Sequence, residues 1–224
     1  MIKVEPRRAP KGFNTNVRDP GQAWLAKNAH LQPKRPVDYW NKWADCRHAL
    51  ARAFSHRCGY TACWLSSGQV EHFVSWYQCK QIGQRHLAYE WKNYRWIHPQ
   101  LNGRKGTKDI LDPFEVEDDW FEINLFSLEL KLTSKVPAHL RSKAQLTVEE
   151  LGLDKSSLVI DLRNEALQRY REGTPLEGIE RYSPLMARAL RRLIEAETDS
   201  LTAPERRLRR RLEQEHSAHL ANLR

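Results

Sequence analysis

Val70-Glu71-His72-Phe73, then Trp91-Lys92-Asn93, then Leu101-Asn102-Gly103-Arg104-Lys105-Gly106 sets a carboxylate beside a histidine, two asparagines nine residues apart and a basic, glycine-flanked turn in one short window. Residues 60–76 are rich in aromatic and β-branched side chains around Ser66-Ser67-Gly68, which predicts a hairpin with Glu71-His72 on its second strand or just beyond. Leu87 to His98 is again aromatic, and Pro99 then precedes the more polar Gln100–Lys105, which suits one or two helical turns. The order is strand, strand, loop, short helix, with a polar group on each piece.

Upstream, residues 1–36 carry several prolines and little apolar periodicity, so they read as an extended arm, docked through Trp24, Leu25 and Leu31. Between Val37 and Phe54, the residues Trp40, Trp43, Cys46, Leu50 and Ala53 recur at helical spacing and predict an amphipathic helix that ends near Cys58-Gly59. Downstream, Phe121, Ile123 and Leu125 alternate, as do Leu128, Leu130 and Leu132, which predicts a second strand pair. The remainder reads as helical. Thr147 and Glu150 form a capping-box pattern, Leu158–Arg171 is a helical run stopped by Gly173, Ser183-Pro184 opens another, and Thr202-Ala203-Pro204-Glu205 starts a basic final helix.

The formal net charge of +9 over 224 residues draws a protein towards polyanions, which makes nucleic acid the favoured partner class. No run approaches the roughly 18–20 apolar residues that cross a bilayer, and the N-terminus lacks an apolar signal core, so the expectation is a cytoplasmic protein with no membrane partner. Cys46, Cys58, Cys63 and Cys79 are expected as reduced thiols.

Hydrolysis of a phosphodiester needs a base for water, a cation for the oxygens that gain charge, and donors that fix the backbone. His72 is a natural base because imidazole is neutral near pH 7. Glu71 and Asn102 offer hard oxygens that suit Mg²⁺ or Mn²⁺. Arg104 and Lys105 are candidates to hold phosphate. Asn93 is read first as a structural residue that bonds backbone groups of the loop. Adjacent strand residues point to opposite faces, so Glu71 and His72 can bracket one site only where the strand ends or bends. In the final helix Arg206, Arg207, Arg209, Arg210 and Arg211 make a basic face, and Arg207 and Arg210 are candidate phosphate contacts, against the alternative of a solvated helix.

The segments Val70–Phe73, Ala88–Asn93, Leu101–Gly106 and Leu111-Asp112-Pro113 resemble the HNH endonucleases with a ββα-metal site, most closely a subgroup with Glu-His-Phe, Trp-x-Asn, Asn-x-x-Lys-Gly and Leu-Asp-Pro elements. The likeness covers about residues 55–115. It implies that His72 is the general base, Glu71 the metal-binding carboxylate, Asn93 the central asparagine and Asn102 the last ligand. Many members also carry two Cys-x-x-Cys pairs for zinc. Here Cys58 and Cys63 are spaced differently and His98 and Leu101 stand where the second pair would be, so no structural zinc is expected, with Trp64, Trp91 and Trp96 packing in its place. Some relatives act beside an ATPase partner in bacterial anti-phage systems such as Septu, and a helical C-terminal half without chemistry of its own would suit such docking.

The resulting expectation is an α+β chain: an arm at 1–36, a domain at 37–135 with a small ββα-metal core among helices, and a helical region at 136–224. Its function would be Mg²⁺- or Mn²⁺-dependent cleavage of DNA, together with an ATPase partner; self-association is left open. The alternatives are a degenerate site in a DNA-binding or scaffolding subunit, and the same chemistry on RNA.

Overall fold

A computed structural model describes residues 1–30 and 42–222, so Leu31 and Trp40 lie outside the described residues, as does the side chain of Trp43. Among the described residues, helices are mixed with two small antiparallel sheets. The chain divides into two compact units. One comprises residues 3–59 and 65–116, and the other residues 1–2, 60–64 and 117–224.

In the first unit residues 3–10 carry no regular structure, as expected of an arm, but the segment after them is helical rather than extended. A π-helical turn at Asn14–Arg18 runs into α1 (Asp19–Lys27). Pro20 sits in the first turn, where a missing N–H costs nothing, and no proline interrupts the next twelve residues. Val17 and Gly21, four apart, form the buried stripe. Phe13 packs edge-on against Trp91 and Tyr94, with ring centroids 5.5 and 5.9 Å away. The next helix, α2 (Arg47–Ala53), follows a 3-10 turn at Lys42–Cys46 and buries Leu50 and Ala51.

Among the described residues of this unit the strands are β1 (Gln69–His72) and β2 (Tyr94–Ile97), paired antiparallel with Gln69 opposite Ile97, Glu71 opposite Arg95 and His72 opposite Tyr94. This corrects the hairpin expected around Ser66-Ser67-Gly68. That turn does not join two strands; it brings Gly68 so close to the Trp96 indole that a Cβ there would lie 2.6 Å from the ring. The link from β1 to β2 is instead a long excursion through α3 (Trp76–Gln81) and 3-10 turns at Arg85–Tyr89 and Trp91–Asn93. Ser75 and Gln78 form a reciprocal capping box on α3. After β2, α4 (Pro99–Lys105) opens on Pro99 and closes at Gly106, whose φ of +50° favours glycine.

In the second unit β3 (Phe121–Ile123) pairs with β4 (Leu130–Leu132), with Phe121 opposite Leu132, as the alternation predicts. The helices that follow are α5 (Ala138–Leu151), α6 (Ser157–Arg171), α7 (Leu176–Tyr182), α8 (Pro184–Glu195) and α9 (Ala203–Asn222). The Thr147/Glu150 cap is a second correction. Both residues lie inside α5, which begins after Pro137, and the Thr147 hydroxyl donates to the Lys143 carbonyl one turn back, at 2.7 Å. Thr202 and Glu205 do form a cap, the Thr202 N–H donating to Glu205 Oε2 at 2.8 Å. Arg163, 1 % exposed, donates to the carbonyls of Leu128, Leu153 and Asp154 and so fixes both the β3–β4 turn and the α5–α6 link. No described helix is long and apolar enough to cross a membrane.

Gly21 tests the docking of α1. A Cβ there would fall 2.2 Å from the Tyr89 ring. In a free helix Gly→Ala gains about 1 kcal/mol, whereas here Gly21→Ala should lower stability by about 1–3 kcal/mol, read as the midpoint of chemical unfolding. A stabilised Gly21→Ala protein would mean that α1 does not sit on Tyr89.

Candidate functional site

Two strand positions decide what faces the helix. Side chains alternate along β1, so Gln69 and Glu71 share one face and Val70 and His72 the other. On α4, residues 102 and 105 are one turn apart and share a face. Asn102 Nδ2 donates to Gln69 Oε1 at 2.9 Å, and Lys105 Nζ meets Glu71 Oε1 at 2.7 Å. The helix is thus fastened along the 69/71 face.

Glu71 and Lys105 are 2 % and 1 % exposed. The Lys105 ammonium also donates to the Phe73 carbonyl at 2.9 Å and the His72 carbonyl at 3.3 Å. Burial pushes the Glu71 carboxyl above its ordinary range, and Lys105 and then Arg95 pull it back. Lys105, expected to hold phosphate, is therefore buried, with its donors taken up inside the protein. Glu71, expected to hold a metal, has that ammonium as its counter-ion.

Opposite Glu71, Arg95 makes a bidentate pair with Asp112: Nε to Oδ1 at 2.6 Å, and the second guanidinium nitrogen to Oδ2. Its guanidinium lies 3.8 Å over the Phe114 ring. Sequence reasoning missed Arg95. The available signal was a cation in the otherwise apolar Tyr94-Arg95-Trp96-Ile97, which a buried strand tolerates only with a paired acid.

His72 lies on the other face. Its Nε2 is 2.9 Å from the Ala88 carbonyl, which also accepts from the Tyr94 hydroxyl at 2.9 Å. A carbonyl only accepts, so Nε2 carries the proton and Nδ1 is the unprotonated nitrogen of the neutral ring. The ring packs against Trp76 and Tyr94, and burial lowers its pKa from 6.5 to about 4. At neutral pH the imidazole is uncharged.

Asn93, 5 % exposed, closes the excursion between the strands. Its Oδ1 accepts from the Val74 N–H at 2.7 Å, its Nδ2 donates to the carbonyls of Val74 and Leu87, both at 3.0 Å, and its own carbonyl accepts from the Phe73 N–H at 2.8 Å. Asn102 is half-buried and Arg104 exposed. Arg207 and Arg210 are exposed on α9, in the other unit.

All four cysteines are buried thiols. Burial raises Cys46 to about 12 and Cys79 to about 11, so neither is a ready thiolate at neutral pH. Trp64 is 42 % exposed and stacks on Tyr182, whereas Trp91 packs with Phe13 and Tyr94, and Trp96 is buried. Among the described residues no three His, Cys, Asp or Glu side chains gather to hold a metal. Asn102 Oδ1 and Glu71 are hard donors on one face, but with Lys105 on Glu71 they do not, as arranged, fit a divalent ion. No protein-family model and no curated protein matches the chain.

Removing one member of the buried pair strands the other. Lys105→Met should cost about 3–5 kcal/mol, whereas Glu71→Leu with Lys105→Met should recover most of that loss; denaturant unfolding of the single and double variants reads the difference. His72 gives a pH signature. Its folded pKa lies below the unfolded value, so its contribution is complete above pH 6.5 and is lost as pH falls towards about 4. That loss is on the order of 3 kcal/mol. In His72→Phe the stability profile should be flatter across that window.

Proposed function

We propose that the chain is an endonuclease of the ββα-metal type that hydrolyses DNA phosphodiester bonds. The observation that carries the reading is the order and fastening of three pieces: β1 ending on Glu71-His72, β2 paired to it, and α4 held to β1 through Asn102 and Lys105. Asn93 holds the intervening backbone at the same strand end.

In this reading His72 is the base. The Ala88 carbonyl keeps the Nε2 proton in place, so Nδ1 is the nitrogen that takes a proton from water. Arg104, exposed at the end of α4, contacts the phosphate. Lys105 is a positioning residue: its ammonium holds the carbonyls of His72 and Phe73 and so sets where β1 ends. Mg²⁺ or Mn²⁺ dependence is what the family resemblance implies, and Lys105 stands on Glu71 where the ion would bind. The helical unit, with Arg207 and Arg210 exposed, is free to meet DNA or an ATPase partner.

A second reading has a specific observation in its favour. Because Glu71 is neutralised by Lys105, the site also suits a protein that binds DNA without cutting it.

Plasmid cleavage with Mg²⁺, Mn²⁺ or EDTA separates the two. The nuclease reading expects metal-stimulated nicking or linearisation that drops at least about 100-fold in His72→Ala and is lost in Asn102→Ala. DNA binding with no cutting under any condition selects the second reading, and cutting confined to an RNA substrate changes the substrate but not the chemistry.

A further inference from the structure

The excursion between β1 and β2 has a composition of its own. Between His72 and Lys108 the only acidic residue is Glu90, and its carboxylate is tied to Gln22 at 3.0 Å. The same stretch holds Lys80, Arg85, Lys92, Arg104 and Lys108 outside the buried core. On α3 and just after it, Tyr77 is 62 % exposed and Ile82 54 % exposed. A single exposed apolar side chain is ordinary, but here two stand five residues apart on a segment that also carries Lys80 and Arg85.

Two contacts put this face beside the candidate site. Gln78 Nε2 donates to the Thr107 carbonyl at 3.0 Å, which joins α3 to the turn after α4 that carries Arg104 and Lys108. Trp76, the residue before Tyr77, packs on His72 with ring centroids 5.3 Å apart. Cys79 Sγ donates to the Val74 carbonyl, so α3 is anchored from beneath rather than loose. At Gly103 and Gly106 a Cβ would meet nothing within 4 Å, so the backbone there is open to close approach. An exposed phenol on a helix joined through Gln78 to the turn that carries Arg104 and Lys108 has the form of a base-stacking platform with phosphate contacts at its edge.

We propose that α3 and the Arg104–Lys108 turn form a nucleic-acid surface on which Tyr77 stacks an unpaired base while Arg104 and Lys108 contact the flanking phosphates. The nuclease reading supplies the substrate class, and this surface narrows it to single-stranded or locally unpaired nucleic acid. The apolar, aromatic character of the exposed pair favours bases over an acidic protein, because a carboxylate-bearing partner would use the cations and leave Tyr77 and Ile82 uncovered.

The test measures binding apart from cleavage. In a His72→Ala background, fluorescence anisotropy with fluorescein-labelled oligothymidylate and with a duplex of equal length reads affinity directly, while the plasmid assay on the His72 protein reads cutting. The expected result is tighter binding to oligothymidylate than to duplex, an about tenfold loss in Tyr77→Ala, and near-parental affinity in Tyr77→Phe, which keeps the ring. Arg104→Gln with Lys108→Gln should weaken binding to both probes and lower the salt dependence by about one to two counter-ions. Unchanged affinity in Tyr77→Ala, or a parent that does not bind oligothymidylate, overturns the proposal. Cutting that persists alongside such insensitivity leaves the nuclease reading standing; Tyr77-dependent binding without any cutting does the reverse.

Discussion

One ammonium group holds this fold's central piece together. Lys105 reaches from the last turn of α4 to the Glu71 carboxylate and to the carbonyls of the two residues that follow. A buried ion pair is a poor source of net stability, since its desolvation cost rivals its attraction. What it supplies is register. The strand repeat of two residues puts Gln69 and Glu71 on one face, the helical repeat puts Asn102 and Lys105 on one face, and only one sliding position of α4 satisfies both pairs at once. An apolar seam would tolerate slippage that this arrangement penalises.

The charge does not end with Glu71. Arg95 lies across the ladder and passes the pattern to Asp112, so cation, anion, cation and anion alternate from α4 through both strands to the segment beyond. The set sums to zero, which is why so many charges can be buried together. Asn93 does the equivalent for the loop without any charge, spending all three of its amide hydrogen bonds on backbone groups of Val74 and Leu87.

The sequence was legible where periodicity was local. The alternation at 121–132, the helical run at 158–171 and the helix start at Ser183-Pro184 correspond to β3–β4, α6 and α8. It misled where a partner lay far along the chain. Ser66-Ser67-Gly68 has turn chemistry, but β1 pairs far along the chain, with Glu71 opposite Arg95 24 residues on, and the glycine serves the Trp96 ring instead. Proline content suggested an extended arm, yet Pro20 opens α1 and the helix is held by tertiary contact with Tyr89. Of the site residues, Lys105 reads on the page as an exposed cation beside glycine; its burial depends on Glu71 approaching through space, which no local pattern encodes.

The Asn93 clamp has a consequence for how the chain tolerates change. It ties residues 73–74 to residue 93, so the excursion carrying α3 begins and ends at one closed neck. Closing such a loop costs only about 0.6 kcal/mol more for each doubling of its length. The room for change is therefore confined to the exposed bend at residues 82–84, because Trp76 and Gln78 before it and Leu87, Ala88 and Tyr89 after it hold His72, the turn after α4, Asn93 and α1.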